Sequence, residues 1–341
     1  AFITDTDSEI IVRLLANEII SVNDFVRALK EVMKKIIGSY SIVILVKNKL
    51  LAVRDRFGIR PLCIGKYKKD YVIASESAAL DAIDAEFIRD INPGEIIEID
   101  REGLRSHSAY SEKYPAHCMF EYVYFARSDS VIDGRCVYDV RMSIGKKLAK
   151  EHPAEKADIV CPVPDSGTAY AIGFSLASGI PFAEGLTKNR YAWRTFILPH
   201  QQYRDVGVKE KLNPIKSLIS GKSIVLVDDS IVRGTTMGKI VQMLRDAGAK
   251  KVHVRIGSPP IVAPCFLGID MKTREQFVAT KKSVSKIADE IGADTLGYIS
   301  IKNLVESIGL PYNSLCLGCL TGGYPVAVPG EKLRFQQELF E

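Results

Sequence analysis

The run Ile224-Val225-Leu226-Val227-Asp228-Asp229-Ser230-Ile231-Val232-Arg233-Gly234-Thr235-Thr236 constrains the fold more than any other segment. Four apolar residues make a buried strand, two acids end it, and small residues open a helix predicted from Thr235 to Ala247. A further strand is expected at Lys251 to Ile256. The same alternation precedes the run: helix Val137 to Lys150, strand Asp158 to Pro162, helix Ala169 to Ala177, then Pro181-Phe182. Strand and helix in alternation predict an α/β unit with a parallel sheet and crossover helices. Its ligand belongs at the carboxyl ends of the strands.

The residues at that end suggest the ligand. Small residues let backbone N–H groups and the Thr hydroxyls surround a monophosphate at a positive helix terminus. Asp228 and Asp229 can accept hydrogen bonds from two neighbouring sugar hydroxyls, or reach a magnesium shell through water. Together they read a ribose 5-phosphate. The run is not a Walker P-loop, because it lacks the Gly-Lys-Ser/Thr ending. A second loop, Pro162-Val163-Pro164-Asp165-Ser166-Gly167-Thr168, also leaves a strand and enters a helix, so it presents backbone donors in the same way.

The first third has another texture. Ile10, Ile11, Leu14, Leu15 and Ile19 follow helical spacing behind a cap at Asp7 or Ser8, and Phe25, Leu29, Val32 and Ile36 repeat it. Tyr40 to Val46 and Leu50 to Val53 then read as a hairpin about Lys47-Asn48-Lys49, with further strands at Tyr71 to Ala74 and Glu95 to Ile99. This is an α+β unit spanning 1–116, followed by the α/β unit at 117–341. With 341 residues and 47% hydrophobic content, each unit has enough chain for its own core. A net charge of +5, scattered among acids, gives no nucleic-acid stripe and suits a small polyanionic substrate. No run reaches membrane-spanning length and no signal pattern opens the chain, so a cytoplasmic protein is expected.

Seven cysteines without a secretion signal favour metal ligation over disulfides. Cys316-Leu-Gly-Cys319 is a closely spaced pair, and Cys118 and Cys265 lie at the unit junction and in a Pro-flanked loop. Four thiolates suit either a [4Fe–4S] cluster or tetrahedral zinc, and the chemistry alone leaves both open. Cys63, Cys136 and Cys161 read as core residues.

The thirteen-residue run resembles the phosphoribosylpyrophosphate-binding signature of type I phosphoribosyltransferases. Over nearly the whole chain the resemblance is to the amidophosphoribosyltransferases (glutamine phosphoribosylpyrophosphate amidotransferases), in their iron–sulfur-containing subclass. It implies an N-terminal-nucleophile glutaminase domain, here incomplete, ahead of the transferase domain. It further implies substrate binding by Asp228, Asp229, Ser230, Arg233, Gly234, Thr235 and Thr236. Asp165, Ser166 and Gly167 would take the pyrophosphate, Lys188 would also bind the substrate, and Mg2+ would be held by Ser166, Asp228 and Asp229. The stretch from Lys188 to Arg204 is similar to the family's catalytic lid, which also completes an ammonia channel. There Arg190 and Arg194 would clamp developing phosphate charge, and Trp193 is the lone tryptophan. The match departs at Ala192-Trp193, where Val-Gly is expected. In this subclass Pro264-Cys265-Phe266 and Cys316-Leu317-Gly318-Cys319 go with a structural [4Fe–4S] cluster, on Cys118, Cys265, Cys316 and Cys319.

Arg54-Asp55-Arg56-Phe57-Gly58-Ile59-Arg60-Pro61-Leu62 and Ala74-Ser75-Glu76-Ser77 look like glutaminase signatures, by which Arg54 would hold the glutamine carboxylate and Asp7 its amino group. The family's nucleophile is an N-terminal cysteine, and neither Cys63 nor Cys118 begins the chain. The expectation is an N-terminally truncated chain that transfers ammonia but does not hydrolyse glutamine. The implied reaction joins ammonia, from glutamine in the intact enzyme, to carbon 1 of phosphoribosylpyrophosphate, the first step of purine biosynthesis. Purine nucleotides would inhibit it, and a homo-oligomer, dimer or tetramer, is expected. The rival reading is a sensor of phosphoribosylpyrophosphate that does not transfer it.

Overall fold

A computed structural model describes residues 3–4, 6–109, 112, 114–189, 212–271, 277–328 and 332–333. The chain opens with two helices, α1 (Asp7–Val22) and α2 (Phe25–Lys35). Thr6, not Asp7 or Ser8, stands at the N-cap of α1 in extended conformation, without a side-chain cap bond. The Glu9 carboxylate in the first turn accepts the N–H groups of Ile3 at 2.9 Å and Thr4 at 2.7 Å, which ties the lead-in back to the helix. At α2, the Asp24 carboxylate accepts Arg27 N–H at 2.8 Å.

The strands β1 (Ser41–Val46) and β2 (Lys49–Arg54) form the expected hairpin, turning through Lys47 and Asn48 with Lys47 at φ 50°. Next come β3 (Cys63–Tyr67), β4 (Asp70–Ala74), the short helix α3 (Ser77–Asp81), β5 (Glu86–Asp90), β6 (Glu95–Asp100) and β7 (Gly103–Ser108). One antiparallel sheet runs β1-β2-β6-β7 and a smaller one runs β4-β3-β5. Alternation along β2 explains the layering. Leu51 and Val53 pack with Leu29, Val32 and Met33 of α2, whereas Ala52 joins Leu62, Ile64 and Ile97 between the sheets.

Beyond it, β8 (His117–Cys118) leads through a short π-helical turn at Glu121–Phe125 to the hairpin β9 (Val131–Ile132) and β10 (Arg135–Cys136). Then follow α4 (Val137–Glu151), β11 (Ile159–Pro162), α5 (Thr168–Ser178), β12 (Leu186–Lys188), β13 (Leu212–Pro214), α6 (Lys216–Ile219), β14 (Ser223–Asp228), α7 (Thr235–Asp246) and β15 (Lys251–Ile256). There follow α8 (Val284–Ile291), β16 (Thr295–Tyr298), α9 (Ile301–Ile308), β17 (Leu315–Cys316), α10 (Gly318–Thr321) and the short parallel pair β18 (Gly323–Tyr324) and β19 (Lys332–Leu333). The predicted parallel sheet is present in the order β11-β14-β15-β16, parallel throughout. Val160, Val225 and Val227 pack with Val140, Ile144, Tyr170 and Phe174 of α4 and α5; Leu226, Val252 and Val254 pack with Ile240, Val241 and Leu244 of α7. A sheet buried on both faces explains the unbroken apolar run that marked β14. Among the described residues no helix is long and apolar enough to cross a membrane.

Candidate functional site

The carboxyl edge of the parallel sheet brings the two loops together. β11 and β14 are neighbours with Pro162 opposite Val227, so the loop leaving one strand meets the acids ending the other. Val163 N–H donates to Val227 O and Gly167 N–H to Val163 O, each at 2.8 Å, which curls the loop into a cup. Only glycine fits at its base: a Cβ on Gly167 would lie 2.3 Å from the Val227 carbonyl oxygen. The Pro164–Asp165 peptide is cis. Ser166 Oγ then donates to Asp228 Oδ1 at 3.2 Å, joining the loops directly.

Asp228 is half-buried and Asp229 buried. Asp228 Oδ1 also accepts Asp229 N–H at 2.9 Å, and Asp229 Oδ1 accepts Ser230 Oγ at 2.6 Å. Burial, and then the negative charge of Asp229, push the Asp228 carboxyl well above the usual carboxylate range. A pair that resists double ionisation gains from hydroxyl donors or from a cation. Just beyond it, Gly234 at φ +81° turns the chain into α7 and leaves Thr235 and Thr236 exposed in the first turn. The N–H groups of a first helical turn have no acceptor within the helix, and they carry its positive dipole end. A cleft of about 390 Å³ opens beside this loop, lined among others by Arg233, Gly234, Thr235, Lys239 and Gln242. Lys188 Nζ donates to Asp165 Oδ2 at 2.9 Å, linking β12 to the Gly167 loop. The predicted substrate residues Asp165, Ser166, Gly167, Lys188, Asp228, Asp229, Ser230, Arg233, Gly234, Thr235 and Thr236 thus meet at one edge. Arg190, Trp193 and Arg194 lie outside the described residues.

Asp7 and Arg54 are placed differently. Asp7 is exposed at the start of α1. Arg54 is only 1% exposed, and its Nε donates to Arg60 O at 2.9 Å. Its Nη1 donates to Ile91 O and Asp133 Oδ1 at 2.8 and 2.9 Å, and its Nη2 to Gly58 O and Asp133 Oδ2 at 2.9 and 3.1 Å. With the whole guanidinium fork engaged, this conformation leaves no donor for a glutamine carboxylate. His117 Nδ1 lies 2.9 Å from Asp133 Oδ2 and completes the cluster. Sequence reasoning missed Asp133 and His117. The Asp133-Gly134 dipeptide was a legible hairpin signal, but nothing local names its partner.

The cysteines divide as expected in part. Cys63 and Cys161 are buried in the core, but Cys136 is half-buried at the N-cap of α4. Cys118 and Cys316 stand side by side in the parallel pair β8–β17. Val262 and Ala263 N–H donate to Cys319 O at 2.9 and 3.0 Å, and Tyr324 Oη donates to Pro264 O at 2.8 Å, which ties the Cys265 loop to the Cys316–Cys319 turn. Leu267 N–H points at Cys265 Sγ at 3.4 Å. Burial first, then the charges of the other three sulfurs, hold Cys319 well above its usual range; Cys118 is raised by burial and by Cys316 and Cys265. Among the described residues no group of three or more His, Cys, Asp or Glu is arranged to hold a metal ion.

Two domain families match the chain: glutamine amidotransferase domain over residues 1–82, and phosphoribosyl transferase domain over residues 145–256. The amidophosphoribosyltransferase of Methanocaldococcus jannaschii is 51% identical over 347 residues, which is 97% of this chain and 73% of that protein. That of Methanothermobacter thermautotrophicus is 50% identical over 330 residues, covering 97% and 69%. In solved structures, the glutamine phosphoribosylpyrophosphate amidotransferase from B. subtilis complexed with ADP and GMP superposes with a TM-score of 0.90 at 42% identity, over 98% of this chain and 74% of that one.

Proposed function

The chain belongs to the amidophosphoribosyltransferases, and on that premise we propose that its sheet edge joins ammonia to carbon 1 of 5-phosphoribosyl 1-pyrophosphate, releasing pyrophosphate and phosphoribosylamine. The observation that carries this reading is the Ser166–Asp228 contact, which unites a loop of backbone donors with a paired-acid strand end. The two acids accept the ribose 2- and 3-hydroxyls, which turns carbon 1 toward the Gly167 loop. The first turn of α7 holds the 5-phosphate, and the loop Asp165-Ser166-Gly167 at the start of α5 takes the departing pyrophosphate. Fixing the sugar at both ends presents carbon 1 to ammonia in one orientation.

Magnesium would be held by Ser166, Asp228 and Asp229, since a hydroxyl and two adjacent carboxyl groups there supply the hard oxygen donors it takes. When bound, it would neutralise charge on the leaving pyrophosphate. The pairing of Cys118 with Cys316 and the hydrogen bonds that tie the Cys265 loop to the Cys316–Cys319 turn support a [4Fe–4S] cluster on these four described residues, although their sulfurs are not arranged around a metal in this conformation. The ADP and GMP complexed with the B. subtilis enzyme support purine nucleotides as inhibitors. Against the sensor reading stands the family membership itself, whose named members are transferases.

The test is ammonia-dependent synthesis of phosphoribosylamine. Asp228→Asn combined with Asp229→Asn is expected to lower it by about a hundredfold or more while circular dichroism stays native. Full activity in the folded double variant would remove the proposed mechanism.

A further inference from the structure

We propose that Arg54 is a positioning residue of a buried seam that locks the glutaminase-type half onto the transferase half, so that ammonia made in one is delivered to the other. The inference rests on the function proposed above. Arg54 ends β2 in the first half, and Asp133 lies at the turn of the β9–β10 hairpin in the second. Their fork-to-carboxylate pair crosses 79 positions, and Asp133 takes the left-handed φ of 46° that aims its carboxylate back at Arg54. His117 closes the pair from the side, 3.0 Å from Gly58 O.

A second anchor repeats the design. Glu76 Oε2 accepts Arg127 N–H at 2.9 Å and Ser130 Oγ at 2.7 Å, and Ser77 Oγ accepts Val131 N–H at 2.8 Å. Both anchors, each from the first half, therefore hold one segment, 127–133. That segment is also fastened to α4: Val137 and Tyr138 N–H donate to Ser130 O and Ser128 O, and Arg141 donates to Ser128 Oγ and to Tyr122 O and Ala126 O just before the segment. α4 packs on α5, the helix that the Gly167 loop enters. The hairpin is thus gripped between the two halves, and a guanidinium fork fixes distance and angle where an ammonium would fix only charge.

The test uses the full-length enzyme carrying Arg54→Lys or Asp133→Asn, with Glu76→Ala as a milder variant in case the buried substitutions fold poorly. Three quantities are measured: ammonia-dependent synthesis, glutamine-dependent synthesis, and glutamate released per phosphoribosylamine formed. The expected result is ammonia-dependent synthesis within about twofold of the parent, glutamine-dependent synthesis down by on the order of tenfold, and a rise in glutamate per product. A raised KM for glutamine with that ratio unchanged would return Arg54 to glutamine binding and overturn the proposal. So would a parallel fall of both activities, which marks a merely structural residue. Absence of ammonia-dependent synthesis in the unsubstituted enzyme would instead sink the function on which the proposal rests.

Discussion

Gly167 shows how much one missing methyl group decides. Its position is set from below by the Val227 carbonyl and from behind by Val163, both part of the backbone and neither able to swing aside. Gly167→Ala must therefore push the loop off the strand end, moving Ser166 away from Asp228. We expect the KM for phosphoribosylpyrophosphate to rise on the order of tenfold or more, with a stability loss of about 1–3 kcal/mol, checked by steady-state kinetics and urea unfolding. Unchanged kinetics would mean that the cup is not where the pyrophosphate binds. Asp228, Asp229 and Gly167 could be named as candidates because each stands in a local pattern of strand, acid and small residues, the first two in one run and Gly167 in another. The resemblance names Arg54 for a glutamine carboxylate, and its Asp133 partner was not legible, because it lies 79 positions away.

At the scale of elements, period and punctuation carried most of the reading. The Lys47-Asn48 hairpin, α4, β11, α5, β14, α7 and β15 lie within a residue or two of expectation, because each shows an unambiguous period bounded by turn residues. β16 was missed: Thr295-Leu296-Gly297-Tyr298 is short, contains glycine, and is a strand only because β15 offers it an edge. The same holds for β8 and β17, two residues each, which exist as a pair and set Cys118 beside Cys316. Sequence could name these cysteines but not their register. Anaerobically purified protein is expected to contain about four iron and four sulfide per chain. Cys316→Ser should lose the cluster and lower the melting temperature, whereas Cys63→Ser should keep its iron. Stoichiometric zinc without iron in the parent would reassign the four thiols.

On the scale of the whole molecule, the buried acids at the junction between the halves make stability depend on pH in two opposing steps. Asp55 and Asp90 are each raised to about 6, chiefly by burial, with Asp133 adding to the effect at Asp90 and Arg54 opposing it at both. A carboxyl raised in the folded state binds its proton more tightly there than in the unfolded chain, where aspartate titrates near about 3.9. Folding is thus favoured as pH falls from about 6 toward about 4. His253, lowered by burial and by Arg255, pulls the other way as it charges. Asp133 behaves in reverse to the raised pair. Burial would raise it, but His117 and Arg54 together hold it well below the usual range. Its contribution is full above about pH 4 and is lost on further acidification. Glu98, buried yet held at about 2 by Lys49, Arg105 and His107, is lost over the same range. The melting temperature is therefore expected to rise by about 2–4 °C between pH 7 and pH 5 and to fall steeply below pH 4. Asp90→Asn should flatten the rise without moving the fall, because it removes one raised group and leaves Asp133 paired. Asp133→Asn should instead weaken the fall and lower stability at pH 7, since Arg54 is then buried without its counter-charge. Calorimetry across this range checks both variants, and a profile that declines steadily from pH 7 would mean that Asp55 and Asp90 stay ionised in the folded protein.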